Sequence, residues 1–363
     1  MINRTNPVIL AFALMSQGLF AQLPRIVVQG NGEPQVFTQF DAAVAAAQAD
    51  DRIYLSGGTF LHSPALAIDK PLHFIGAGLH PDSTEVTGMT TLQQNGGSGS
   101  ESLRILTSGS GSTFTGIRFV SSTGEQSTVV LAYGNDDLTD DPVDLVFDRC
   151  WFTGRVYLGS NTTNVINTTT AFDECVFLGT VDGVGRSAVF TRCIIANGQN
   201  TVTLTGLAGS SSADNCIVMG AVQSLSNISV RNSYIRTNNL NNYAVYSCSN
   251  CLFQNTLVTN NVVASGSPGT VVTDCISAVT GDAVCVEETD GFYQLSDDLH
   301  MATGGPGSGF GLDGTDVGIY GTSDPYKAGA VPFNPHFRQA IIAPATNPNG
   351  ELPVNIRVAA QPN

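Results

Sequence analysis

The sequence predicts an all-β solenoid, a parallel β-helix in which short strands separated by tight bends wind into stacked coils. Three observations predict it. The chain holds 39 glycines in 363 residues and only 12% charged residues, a balance unlike that of disordered chains or helical bundles, which are normally rich in Glu and Lys. A six-residue pattern of the form apolar, x, x, small, x, apolar recurs through the centre. Cysteines fall repeatedly at one position within that pattern.

The elements follow in chain order. Residues 1–21 carry one basic residue, Arg4, then an apolar run from Val8 to Met15 and small residues leading to Ala21. The run is too short to span a bilayer, so a secretory signal peptide is expected, with the mature chain exported and either secreted or held at the cell surface. No transmembrane segment is expected further on. Residues 38–50 (TQFDAAVAAAQAD) place Thr38 as an N-cap with Asp41 three residues on, followed by an Ala-rich run. That predicts a helix able to cover the open end of a solenoid.

The repeat runs as FTGIRF (114–119), FDRCWF (147–152), FDECVF (172–177), FTRCII (190–195), ADNCIV (213–218), VRNSYI (230–235), FQNTLV (253–258) and VTDCIS (272–277). From Cys150 onward the fourth positions lie 25, 18, 23, 17, 23 and 19 residues apart. Neither the fixed leucine spacing of a leucine-rich repeat nor a 3.6-residue period is present. Alternating apolar residues would form two short strands, and the polar step between them, such as Asp148 and Arg149, would form the bend. A single coil buries little, so stability must come from stacking equivalent positions about 4.8 Å apart. Between Ile53 and Glu288 there is room for roughly ten coils of about 22–24 residues.

Cys150, Cys175, Cys193, Cys216 and Cys275 share the fourth position with Ile117, Ser233 and Thr256. Parallel Cβ vectors about 4.8 Å apart miss the roughly 3.5–4.5 Å that a disulfide needs, so buried free thiols are expected. Cys248, Cys251 and Cys285 lie outside this column. Cys248 and Cys251 form a lone CxxC with no second pair at zinc spacing, and whether these three cysteines form disulfides stays open. Residues 289–363 shift to Gly, Pro and Asn and are expected to cap or follow the last coils. There Asp313 and Asp316 sit in a Gly-rich turn and suit backbone capping, and His336 follows a proline in a loop. Val354, Ile356 and Val358 alternate, predicting a strand that packs on the last coil or offers its edge to a partner, another surface protein or a second copy.

With these motifs the chain resembles the pectin-lyase-like superfamily, and within it a group of exported bacterial proteins of mostly uncharacterised function. Residues 37–60 (FTQFDAAVAAAQADDRIYLSGGTF) are similar to the family's capping helix, first strand and Gly-Gly turn. Residues 68–78 (IDKPLHFIGAG) resemble its second coil, and 305–320 (GPGSGFGLDGTDVGIY) with PFNPH at 332–336 resemble its closing motif. The resemblance implies a right-handed parallel β-helix over 22–288 with an N-terminal capping helix, and a Gly/Pro-rich cap over 289–363.

Fifteen basic residues face 30 acidic ones, for a net charge of −15, which excludes a nucleic-acid binder. Carbohydrate lyases on this fold need a carboxylate-held Ca²⁺ and a Lys or Arg base, and glycosidases need paired carboxylates. Between Pro81 and Leu299 the sequence has neither Lys nor His, so no catalytic residue is assigned. The metal candidate is Ca²⁺ on Asp136, Asp137, Asp140, Asp141 and Asp144, set in an insertion that lengthens one coil; the competing reading is a solvated acidic turn. Arg155, Arg186 and Arg192, with Arg149, are candidates to stack on one face and hold sugar carboxylates, unless some of them pair with Asp148, Asp173 and Glu174. The expected function is a non-catalytic exported module for surface structure, adhesion or carbohydrate binding. The alternative is a polysaccharide lyase or glycoside hydrolase acting on an acidic polysaccharide.

Overall fold

The computed structural model describes residues 24–64, 66–84, 87–96, 103–124, 126–134, 140–159, 169–197, 201–237, 244–259, 267–288, 290–327, 336–343 and 345–359. Among these, strands dominate and are gathered into three stacks. The first holds twelve strands and ends at Val271–Thr273; the second holds nine, from Gly58–His62 to Leu257–Val258; the third holds eight, from Ala67–Ile68 to Val245–Tyr246. The chain visits them in rotation: Val146–Asp148 in the first, Trp151–Phe152 in the second, Arg155–Tyr157 in the third, then Thr170–Asp173 back in the first. Each strand therefore pairs in parallel with its counterpart one coil away, as in a solenoid. Only the start of the first stack differs, where Ile26–Gln29 lies antiparallel between Gln35–Phe37 and Arg52–Leu55.

Register places like on like. The inward column of the first stack runs Phe74, Phe114, Phe147, Phe172 and Phe190, then Ala213, Val230 and Phe253. All are at most 1% exposed. Strand spacing sets ring spacing: consecutive phenylalanine centroids lie 4.7, 4.9, 5.0 and 5.1 Å apart. A second ladder, Phe119, Phe152 and Phe177, repeats at 4.9 Å. The two ladders meet edge to face, as with Phe147 and Phe152 at 5.5 Å and 70°, the geometry that aromatic quadrupoles favour.

Beside them the cysteines are free thiols, as the register argument expects. Cys150, Cys175, Cys193 and Cys216 donate to the carbonyls of Phe114, Phe147, Phe172 and Phe190 at 3.3, 3.3, 3.4 and 3.6 Å. Burial pushes the thiols of Cys175, Cys193 and Cys216 well above the usual range.

The N-terminal helix is shorter than the expected 38–50. It spans Phe40–Ala46, its N-cap is Gln39 rather than Thr38, and no side chain caps it. Asp41 instead accepts from the Ser63 amide at 3.1 Å, tying the helix to a later strand end. The helix stops where the Gln48 amide turns to the Asp51 carboxylate at 2.8 Å. Phe40 extends the aromatic column, 5.8 Å from Phe74.

The C-terminal section does two things. The described residues from 290 to 326 bring Leu299, Met301, Val317, Ile319 and Tyr326 onto the outer face of the second stack, where they cover Trp151, Val176, Ile217, Tyr234 and Leu257. Beyond them His336–Ile342 and Val354–Ala359 pair as an antiparallel hairpin. The strand expected over 353–359 is thus present, but it does not pack on the last coil: Val354, Ile356 and Val358 are 50%, 48% and 55% exposed. The reason is the path of the preceding segment, which carries the chain back along the solenoid, so that the hairpin lies against the short helix Pro81–Thr84.

Phe147→Ala removes a ring stacked on both neighbours and should cost about 3–5 kcal/mol in urea denaturation. Val36→Ala, at a 62% exposed side chain, should change stability by less than about 0.5 kcal/mol.

Candidate functional site

From Gly116 onward the bend that follows each strand of the first stack is made by one residue per coil in the left-handed region. These are Gly116 (φ 66°), Arg149 (51°), Glu174 (50°), Arg192 (51°), Asn215 (55°), Asn232 (47°), Asn255 (46°) and Asp274 (53°). Each occupies the third position of the six-residue pattern. Gly, Asn and Asp take this conformation readily, whereas Arg and Glu pay about 1–2 kcal/mol each. The corner amides link successive coils, as when Arg149 N donates to Asp173 O at 2.9 Å and Glu174 N to Thr191 O at 3.0 Å.

Stacking at coil spacing turns these corners into a ladder of side chains. Its charged half alternates in sign. Glu174 accepts from Arg149 Nε at 2.9 Å and faces Arg192 Nε at 3.4 Å, while Arg192 also reaches Asp173 at 2.8 Å and Arg149 reaches Asp148 at 3.4 Å. Its amide half holds the C-terminal segment. Asn255 Nδ2 donates to Phe310 O at 2.9 Å, and Leu312 N donates to Asn232 Oδ1 at 2.8 Å. Asn215 Nδ2 donates to Gly318 O and Gly321 O at 3.3 and 3.1 Å. The charged corners then continue, Arg192 meeting Asp324 at 3.7 Å and Glu174 accepting from Lys327 N at 3.4 Å.

As the ladder descends from 255 to 174, its partners ascend from 310 to 327. The segment is therefore a strap, clasped rung by rung and running opposite to the winding of the coils. Close approach demands glycine at Gly321, where a Cβ would sit 1.5 Å from Asp316 O. Asp313 and Asp316 cap backbone amides of the strap, Thr315 N at 3.1 Å and Gly309 N at 2.8 Å. At the strap's start, buried Arg236 pairs with Glu288 and with Asp282, and Glu288 accepts from Gly291 N at 2.6 Å.

The candidate residues named from sequence are not brought to one place. Arg155 lies half-buried in the third stack, with no ion pair among the described residues. Arg186 is buried and gives Nε to Asp141 at 2.8 Å, on a different edge of the solenoid from Arg192. Asp136 and Asp137 lie outside the described residues. Asp140 is half-buried, Asp141 is buried against Arg186, and exposed Asp144 accepts from the Thr169 hydroxyl. Among the described residues no group of three or more His, Cys, Asp or Glu is gathered as for a metal ion. Cys248 and Cys251 are buried, and a hydrogen bond from Cys248 holds the Cys251 thiol below its usual range. Sequence reading gave Asn232 a place in the bend but no holding role to Asn215, Asn232, Asn255 or Arg236; the recurring Asn at the third pattern position was the available signal for the first three.

Two features face solvent. On the outer edge of the first stack, Asp148 and Asp173 stand in register one coil apart. Burial raises the Asp148 carboxyl to about 6, outweighing Arg149, and raises Asp173 as well. Further along the same face, Ser212, Ser229, Leu252 and Val271 lie in register. With Ser210, Asn227 and Asn250 they line an open trough of about 610 Å³. No protein-family profile matches the chain, and no curated protein or solved structure is significantly similar to it.

Asn232→Ala should cost about 1–3 kcal/mol by orphaning the Leu312 amide and straining the corner; hydrogen exchange should rise over 308–327 while the coils stay protected. The folded-state value of Asp148 lies above its ordinary 3.8. Its stabilising contribution is therefore complete below about pH 4 and lost as pH rises through 6. Asp148→Asn should gain in melting temperature over the parent as pH climbs from 4 to 7.

Proposed function

We propose that the protein is an exported, right-handed parallel β-helix of the pectin-lyase-like superfamily, with roughly ten coils and the Phe40–Ala46 helix as its N-terminal cap. In this reading it acts outside the cell as a non-catalytic module for structure, adhesion or carbohydrate binding. One observation carries it: the two outer faces differ in what they offer. The second stack presents apolar side chains and spends them on the strap. The first stack presents hydroxyls and amides at coil spacing in an open trough, with Leu252 and Val271 beside them.

Regularly spaced small donors and acceptors beside apolar patches suit many weak contacts to an extended sugar chain. The arginines support the same reading. Arg149, Arg186 and Arg192 are committed to Glu174, Asp141 and Asp173, which leaves Arg155 as the candidate for a sugar carboxylate. Ca²⁺ binding in the acidic segment would rest on Asp136, Asp137, Asp140 and Asp144, because Asp141 already serves Arg186.

A second reading, hydrolysis of an acidic polysaccharide, draws on Asp148. A carboxyl raised to about 6 suits a proton donor, and Asp173 stands one coil away. Their shared engagement with Arg149 and Arg192 favours a structural role for both.

A panel of neutral and acidic polysaccharides, tested by affinity electrophoresis alongside reducing-end and unsaturated-uronate assays, separates the readings. The expected outcome is retardation without product, weakened at least about tenfold by Ser229→Trp, which fills the trough. Product formation abolished by Asp148→Asn would instead establish the hydrolase.

A further inference from the structure

The two ends of the solenoid differ. At one end Phe40 covers the aromatic column. At the other, Val272 continues the inward column from Phe253 yet is 42% exposed, whereas Phe253 is fully buried. Its strand, Val271–Thr273, is the last of the first stack, so one edge carries no paired strand among the described residues. An exposed edge with apolar side chains is a template for another strand.

The hairpin, which meets the body where His336–Ile342 lies against Pro81–Thr84, leaves a second surface open. Ile342 and Val354 are paired, as are Ala340 and Ile356, so its aliphatic side chains share a face. Ile342, Val354, Ile356 and Val358 are 59%, 50%, 48% and 55% exposed. A two-stranded hairpin is marginal in water unless its apolar face is covered. Its own solenoid end is not what covers it, because the strap has carried the chain back to Glu174 before the hairpin begins.

Charge selects the partner. From Thr237 to Tyr326 the sequence has no Lys or Arg, and the residues that follow the Val271–Thr273 strand include the acids Asp274, Glu287 and Asp290, with Asp282 paired to Arg236. Residues 328–363 hold Arg338 and Arg357 against the single acid Glu351, a positive segment in a chain of net charge −15. Body-to-body contact between copies is repulsive, while hairpin-to-open-end contact is attractive.

We propose that the hairpin of one copy adds its Val354–Ala359 edge to the Val271–Thr273 edge of a second copy, with Ile356 covering Val272. The contact joins different surfaces, so it is head-to-tail and propagates into chains of molecules rather than stopping at a dimer.

Sedimentation velocity on the full chain across a concentration series tests this. Expected are oligomers that grow with concentration and weaken with salt. Ile356→Glu and Arg357→Glu on the hairpin, and Val272→Glu at the open end, should each weaken self-association at least about tenfold with unchanged far-ultraviolet circular dichroism. Mixing Ile356→Glu with Val272→Glu should restore a complex that stops at one-to-one, because each retains the surface the other lacks. Val271→Glu, at an outward side chain on the same strand, replaces Val272→Glu if that variant unfolds. A full chain monomeric at every concentration, an open-end variant that associates as well as the parent, or a mixture that stays monomeric would each overturn the proposal.

Discussion

From Gly116 to Asp274 each coil leaves the first stack through a single residue with left-handed backbone, and much of the structure follows from that corner. The tight turn lets short strands on either side stay in register with the coil before. Register then puts phenylalanine on phenylalanine and thiol beside thiol. A longer bend would let register slip, and a slip of one residue would turn the column of rings out to solvent.

The same corner aims one side chain per coil at a common edge, and two solutions to its backbone cost appear. Where the residue is Asn215, Asn232 or Asn255, the conformation is cheap and the side-chain amide is available to hold the strap. Where it is Arg149, Glu174 or Arg192, the conformation is costly and is offset by alternating charge along the ladder. A buried ion pair of this kind adds little net stability over an apolar pair of equal volume, yet removing one partner is severe because the other is left buried and charged. The charged rungs thereby fix which part of the strap lies where, Asp324 over Arg192 and Lys327 beside Glu174.

Laying the strap over the second stack has consequences for the remaining surfaces. It covers the apolar stripe of Trp151, Val176, Ile217 and Tyr234, which would otherwise mark a binding face. It leaves the first stack as the open, hydroxyl-lined side. It also delivers the C-terminal hairpin away from the end of the solenoid, so the inward column finishes at a half-exposed valine.

The sequence by itself determined the repeating coil. Alternating apolar residues, a two-residue polar step and a shared small position are local signals, and each is dictated by strand period or turn geometry within six residues. The inward thiols and the strand at 354–359 were legible for the same reason. The helix cap was misread because Thr38 and Asp41 fit a local pattern, while Asp41 found its partner at Ser63, which only folding brings near. What tertiary structure alone decided is where the aperiodic section goes and whom the charges serve. Arg186 meets Asp141 across 45 residues, and Asn215 meets Gly321 across 106. A Gly-rich segment has no period of its own, so its path is set by the ladder of donors and acceptors it lands on, and that ladder exists only once the coils are stacked.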